Sequence, residues 1–168
     1  KIGIAKAFTS RHGPGIFLTE SEYLSKKISD ENQEETFWNG KIRFGWFDVV
    51  LFKYAQRINQ VDELYLSSLD KLSNLKNIKI CERYIYYGNI DEKFKDIFVY
   101  HIENEMIIIT EIKRNDDDLI KYLKYCEPDY IYMKGWETDI SKATKRNELP
   151  KRCIEYIYKL KWLIKVPI

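Results

Sequence analysis

Residues 45–72, GWFDVVLFKYAQRINQVDELYLSSLDKL, decide the fold class. Phe47, Val50, Leu51, Tyr54, Ala55 and Ile58 recur at intervals of three and four, which places them on one face of a helix, while Lys53, Gln56 and Arg57 fall elsewhere. The pattern predicts a helix from about Phe47 to Ile58, with Asp48 in its first turn, where a carboxylate complements the positive helix end. Residues 63–69 then change character and read as a strand.

The same alternation of element types continues in both directions. Residues 1–8 read as a strand, broken at 9–15 by TSRHGPG with its two glycines around Pro14. Thr19, Glu20, Ser21 and Glu22 have capping-box spacing and predict a short helix through Ile28. Downstream, 78–87 is β-branched and tyrosine-rich, with Tyr87-Gly88-Asn89 as a turn. Residues 98–102 and 105–112 form a predicted hairpin about Glu103-Asn104. Asp116, Asp117 and Asp118 favour the start of a helix through Tyr125, which Pro128 prevents from continuing. A last helix begins near Pro150, carries Cys153, Tyr156, Ile157, Leu160 and Ile164 on one face, and stops by Pro167. Strands interleaved with helices predict an α/β fold, a mixed sheet with flanking helices, in one unit over 1–168.

Composition narrows the function classes. The 168 residues carry 28 Lys+Arg against 26 Asp+Glu, a net charge of +2, which gives little support to a nucleic-acid tail or a polybasic membrane patch. Tyr84–Tyr87 is too apolar to read as a nucleic-acid surface. No stretch approaches about 18 apolar residues, so no membrane partner is expected. The 3 cysteines, Cys81, Cys126 and Cys153, are widely spaced and form no CxxC pair, which argues against a disulfide framework or zinc site and for a reducing, cytoplasmic setting. The 2 histidines, His12 and His101, lie far apart, so no metal ligands are assigned. Phosphate-loop, dinucleotide, nucleophile-elbow and HExxH signatures are all absent from the sequence. Three polar loops remain as sites for chemistry: 8–19, 36–46 and 66–76.

The loops and their flanks carry a family resemblance. KIGIAKAFTSRHGPGIFLTE at 1–20 resembles the K-A-[YF]-T-[ST]-R-x-G-x-G-P-F-P-T-E segment of adenylosuccinate synthetase, the purine-biosynthetic ligase. GWFDVVLFKYAQRIN at 45–59 is similar to that family's G-W-[FL]-D helix, and LYLSSLDKL at 64–72 to its L-T-K-L-D-x-L guanine segment. CEPDYIYMKGWETDIS at 126–141 and LPKRCIEYIYKLKWLIKVPI at 149–168 match two further motifs, in the family's order. The resemblance implies a P-loop-like fold and the GTP-driven joining of IMP and L-aspartate to give adenylosuccinate. It also implies that this chain is the C-terminal part, with the phosphate loop, the catalytic aspartate and histidine and the Mg²⁺ site all in an N-terminal half. No catalytic residue is therefore assigned here, and a homodimer and a partnering N-terminal half are expected.

By the same resemblance, Asp70 is expected to read guanine, with Ser68 and Leu69 beside it; Ser68 stands where the family has lysine. A carboxylate's two acceptors match guanine's N1–H and N2 amine. The second loop, 36–46, occupies the place of T-T-G-R-x-R-R-x-G-W, in which hydroxyls and glycine amides receive the substrate aspartate and arginines hold carboxylate and phosphate. The arginines are eroded. Thr36, Asn39, Gly40, Lys41 and Arg43 are the expected aspartate and IMP contacts, with Arg43 also facing GTP. Thr9, Arg11 and Gly13 are expected to border the nucleotide, and His12 takes no role. Ser68 and the eroded loop also favour an alternative, a degenerate non-catalytic member kept for nucleotide binding or assembly.

Overall fold

The computed structural model describes residues 1–28 and 40–168. It contains a parallel ribbon, β1 (Ile2–Lys6) with β5 (Glu63–Ser67), and an antiparallel pair, β2 (Thr9–His12) with β3 (Ile42–Gly45). The larger sheet runs β4 (Phe47–Asp48), β6 (Asn77–Tyr86), β8 (Met106–Ile112), β7 (Phe98–Glu103), and β9 (Cys126–Lys134) also pairs with β6. The β4–β6 contact is parallel and the other pairings of this sheet are antiparallel, so the fold is the expected mixed α/β arrangement. Flanking helices are α1 (Glu22–Ile28), α2 (Val49–Asn59), α3 (Glu92–Ile97), α4 (Leu119–Leu123) and α5 (Lys151–Ile164). None of the described helices is long and apolar enough to cross a membrane.

Several local expectations shift by one turn or less. Asp48 lies just before α2 rather than inside its first turn, because its extended backbone lets its carboxylate accept from Leu51 N at 3.0 Å. The helix consequently buries Val49 and Val50, leaving Leu51 46% and Ile58 60% exposed on the side predicted to be core. At α1 the cap is Ser21, whose hydroxyl accepts from Leu24 N, while Thr19 is buried elsewhere. The hairpin turns at Asn104-Glu105, one residue later than expected, with φ of 49° and 65°, the backbone of the tight turn that matches strand twist. The helix after the aspartates ends at Leu123, because Cys126 already enters β9; Asp118, at its N-cap, makes no side-chain cap bond, both Asp116 and Asp118 pair with Lys93, and Asp116 also accepts from Asp118 N at 3.0 Å. Residues 9–12, expected as loop, are strand β2 because β3 supplies a ladder for them.

Two apolar clusters hold the elements. One joins β1, β5, β3 and α5 through residues such as Phe8, Phe44, Leu64 and Leu160. Here Tyr156 of α5 donates its hydroxyl to Ala7 O at 2.6 Å, tying the end of β1 to the helix. The other centres on Phe94, whose ring lies 4.5 Å from that of Tyr86, 4.9 Å from Phe98 and 5.6 Å from Tyr122. Tyr130 packs against both. Gly135 permits a backbone crossing that no side chain would allow, since a Cβ there would meet Leu75 O at 1.7 Å.

Candidate functional site

The parallel register of β1 and β5 sets the loops 8–15 and 68–76 at the same end of the ribbon, with Lys6 opposite Ser67. Ligands of open α/β sheets bind at the carboxyl ends of strands. Immediately past β5, Ser68 takes up a left-handed conformation, φ 60° and ψ 28°, and a 3-10 turn follows over Leu69–Leu72. A non-glycine residue held there costs on the order of 1 kcal/mol, and such strain gathers at functional turns. The turn buries Leu72 and leaves Asp70 exposed, with no described donor reaching its carboxylate. A free carboxylate at a strand's carboxyl end can take two parallel N–H donors from a ligand.

The first and second loops come together through the β2–β3 ladder. Thr9 faces Gly45, and Arg11 stands directly opposite Arg43, a like-charge juxtaposition that must be offset. Both guanidinium groups bond to the 13–20 turn. Arg43 grips the Glu20 carboxylate with Nε at 2.9 Å and Nη2 at 2.6 Å, and its Nη1 donates to the carbonyls of Gly13 at 3.0 Å and Gly15 at 2.9 Å. The fork holds Glu20's carboxyl below its ordinary value and raises Arg43 further. Arg11 donates to Ile16 O and Pro14 O at 2.7 and 2.8 Å. The two arginines expected to meet ligand are thus the struts of the 13–20 turn. Gly13 and Gly40, both at positive φ, lie in van der Waals contact, a Cβ on Gly40 falling 3.9 Å from Gly13 Cα. Thr9 donates its hydroxyl to Trp46 O at 3.1 Å. Lys41 is exposed, and Thr36 and Asn39 lie outside the described residues.

Sequence reasoning gave no site role to Lys6, Ser10 or Asp48, the last read only as a helix-start carboxylate; the three line a cavity of about 240 Å³ with Thr9, Phe47 and Leu51. Lys6 Nζ donates to Ser10 Oγ at 2.9 Å. Asp48 is buried, and Tyr84 donates to its Oδ2 at 2.7 Å. Burial pushes its carboxyl up to about 6, against the lowering effect of the Leu51 N–H and Tyr84 bonds. The signal available was Asp48's place immediately before the best helix of the chain. Leu69 lines a second cavity, of about 440 Å³, with Leu66, Lys145, Arg146 and Ile168. Among the described residues no three His, Cys, Asp or Glu side chains converge.

The chain matches the family model of adenylosuccinate synthetase over residues 1–168. It is 34% identical over 164 residues to the adenylosuccinate synthetase of Syntrophomonas wolfei, covering 96% of this chain and 33% of that protein. To the Bacillus subtilis enzyme of the same name it is 32% identical over 169 residues, covering 99% of this chain and 34% of the relative. The structure of fully ligated adenylosuccinate synthetase from Plasmodium falciparum superposes with a TM-score of 0.72 at 29% identity, over 99% of this chain and 36% of that one. The chain therefore spans about a third of the length of the curated relatives it matches.

Proposed function

Taking as premise that this chain belongs to the adenylosuccinate synthetase family, we propose that it supplies guanine recognition and the aspartate-binding side of a GTP-dependent ligase that joins IMP and L-aspartate. The observation that carries this reading is Asp70: an exposed carboxylate with no partner among the described residues, just beyond the carboxyl end of a parallel strand and presented by the left-handed Ser68. Guanine's N1–H and N2 amine donate to its two oxygens, with Leu69 as the apolar neighbour of the base. Ser68 offers backbone contact there but not the ammonium of the family's lysine.

Within this reading Arg11 and Arg43 act by shape. Their forks fix the Gly13–Glu20 turn that borders the nucleotide, and an incoming carboxylate or phosphate reaches Arg43 only by competing with Glu20. Lys41, exposed beside Gly40, offers the substrate aspartate a cation, with Thr36 and Asn39 as neutral polar contacts. Phosphoryl transfer and Mg²⁺ binding belong to the part of the fold this chain does not contain, and the functional protein is a cytoplasmic homodimer. The test is to combine the chain with the phosphate-loop portion of a family relative and measure adenylosuccinate formation from IMP, aspartate and GTP. Formation that depends on Asp70 is expected; a combined protein that binds no guanine nucleotide and forms no product would overturn the reading.

The engagement of Arg11 and Arg43 by carbonyls of their own loop favours a second reading, a non-catalytic family member that retains nucleotide binding or assembly. Guanine-nucleotide binding lost on Asp70→Ala, with no product formed in the combined protein, is the outcome that separates it from the first.

A further inference from the structure

The chain's positive charge is gathered in one place. Residues 142–168 carry 8 Lys and Arg against 2 Glu, so this stretch is more cationic than the whole chain at +2, and the remainder is net negative. A chain-wide balance hides such a patch, yet the local charge is what a polyanion meets. The acids of the region are already engaged. Glu148 accepts from Thr144 N at 2.7 Å and Lys145 N at 3.2 Å, Glu155 pairs with Lys151 at 3.8 Å, and Glu137, just upstream, pairs with Arg152 at 3.7 Å. Among the described residues no carboxylate pairs with Arg146, Lys159, Lys161 or Lys165.

Helix α5 buries Cys153, Tyr156, Leu160, Leu163 and Ile164, which turns Tyr158 and Trp162 out to solvent at 53% and 67% exposure. One turn apart, the two rings are neighbours on the helix surface. Each has a cation against it. The Arg146 guanidinium lies 5.2 Å from the Tyr158 ring centre and donates to its hydroxyl, and Lys159 Nζ lies 4.4 Å from the centre of the Trp162 ring. Tyr158 and Trp162 also line an open groove of about 430 Å³ with Lys161, Lys165, Val166 and Pro167. Asp70 does not line this groove.

Cations alone suit any polyanion, but bare rings set among them favour one whose other groups are planar. An acidic polypeptide brings carboxylates and nothing to stack. A membrane surface is met by a convex ridge, whereas these rings flank a groove.

We propose that the exposed face of α5 binds single-stranded nucleic acid, with neighbouring bases stacked on Tyr158 and Trp162 and the phosphates held by Arg146, Lys159, Lys161 and Lys165. Every base has a π-face, so the site takes strands without regard to sequence. Bases in a duplex are already stacked, so the site discriminates against duplex.

The test titrates the 168-residue chain into a short fluorescein-labelled oligouridylate and reads anisotropy over a range of salt, with unlabelled duplex, poly-glutamate and phosphatidylserine vesicles as competitors. Binding that weakens as salt rises is expected, with Tyr158→Ala and Trp162→Ala each reducing affinity about fivefold or more. Trp162→Phe keeps a ring and should retain most of the affinity, while Lys161→Ala should weaken binding and flatten its salt dependence. Both rings are solvent-exposed, so their truncation leaves the fold intact, as circular dichroism would check. Tyr132→Ala should change nothing, although Tyr132 is 68% exposed on β9 and has Lys79 beside it. Failure to bind the oligouridylate at low salt, indifference to both ring truncations, or duplex bound as tightly as single strand would each overturn the proposal. Stronger competition by poly-glutamate or by vesicles would overturn it too, by assigning the face to an acidic polypeptide or to a membrane. Asp70→Ala separates this site from the guanine reading: oligouridylate binding should survive it, and loss of binding would move the strand to the guanine turn and overturn the α5 site.

Discussion

Raising the pH should strip stability from this protein through Asp48, and the size of the loss follows from its surroundings. The carboxyl titrates near its ordinary value of 3.8 when the chain is unfolded and at about 6 in the fold, because burial disfavours the ion more than Leu51 N and Tyr84 Oη favour it. Below the lower value both states hold the proton. Between the two the unfolded chain releases it and the native chain does not, so stability falls as pH rises, at about 1.36 kcal/mol per pH unit. On the order of 3 kcal/mol is lost by the time the native carboxyl ionises. Carboxyls held low, such as Glu20, Asp91 and Asp116, contribute the opposite slope at more acidic pH, so the wild-type curve alone mixes both. Asp48→Asn isolates the effect, since the amide oxygen still accepts from Leu51 N and does not titrate. Urea unfolding of both proteins between about pH 4 and about pH 8 is the assay. The stability of wild type relative to Asp48→Asn should decline across that range by roughly 3 kcal/mol. A flat or rising difference would refute the reasoning, as would a carboxyl resonance of Asp48 that titrates near its ordinary value.

Three further outcomes follow from the geometry. Ser68→Gly relieves the left-handed strain at the end of β5 and should raise the unfolding free energy measured in urea by about 1 kcal/mol. Arg43→Ala removes the fork that grips Glu20 and two loop carbonyls, so it should destabilise by about 1–3 kcal/mol and speed amide exchange over residues 13–20; Arg43→Lys should not restore protection, because one ammonium cannot replace the fork. All three cysteines are buried, and burial lifts Cys126 to about 12 and Cys153 to about 11, so a thiol-selective reagent should label the native protein only as fast as it unfolds.

The elements that were legible in the sequence are those with a strong local period. The helix after Trp46 and the last helix announced themselves by spacing, and the 98–112 hairpin by β-branched runs. What escaped was decided by partners distant in sequence. Thr9–His12 looked like a glycine-bounded loop and is a strand only because Ile42–Gly45 lies beside it. Residues 126–134 carry a proline that obscures their strand character, yet among the described residues β9 pairs with β6 alone, and an edge strand tolerates proline. The short helix α3 is held by Asp91 accepting from Phe94 N and by the packing of Phe94, neither of which has a period long enough to read. The site divides in the same way. Asp70 could be named from a motif and emerges with its carboxylate open to solvent. Arg43 could be named as well, but its engagement with Glu20 could not, since a guanidinium written in sequence gives no sign of which carboxylate will claim it.

The most direct measurement of the central claim is base selectivity at Asp70. The combined protein described above would be titrated with GTP and with xanthosine triphosphate, using wild type and Asp70→Asn. Guanine offers two donors to a carboxylate, while xanthine presents a carbonyl where guanine has its amine and so matches an amide that both donates and accepts. If Asp70 reads the base, wild type prefers GTP and Asp70→Asn reverses the preference, with a swing of a few kcal/mol. Equal affinity for the two nucleotides in wild type, or a preference untouched by Asp70→Asn, would contradict it.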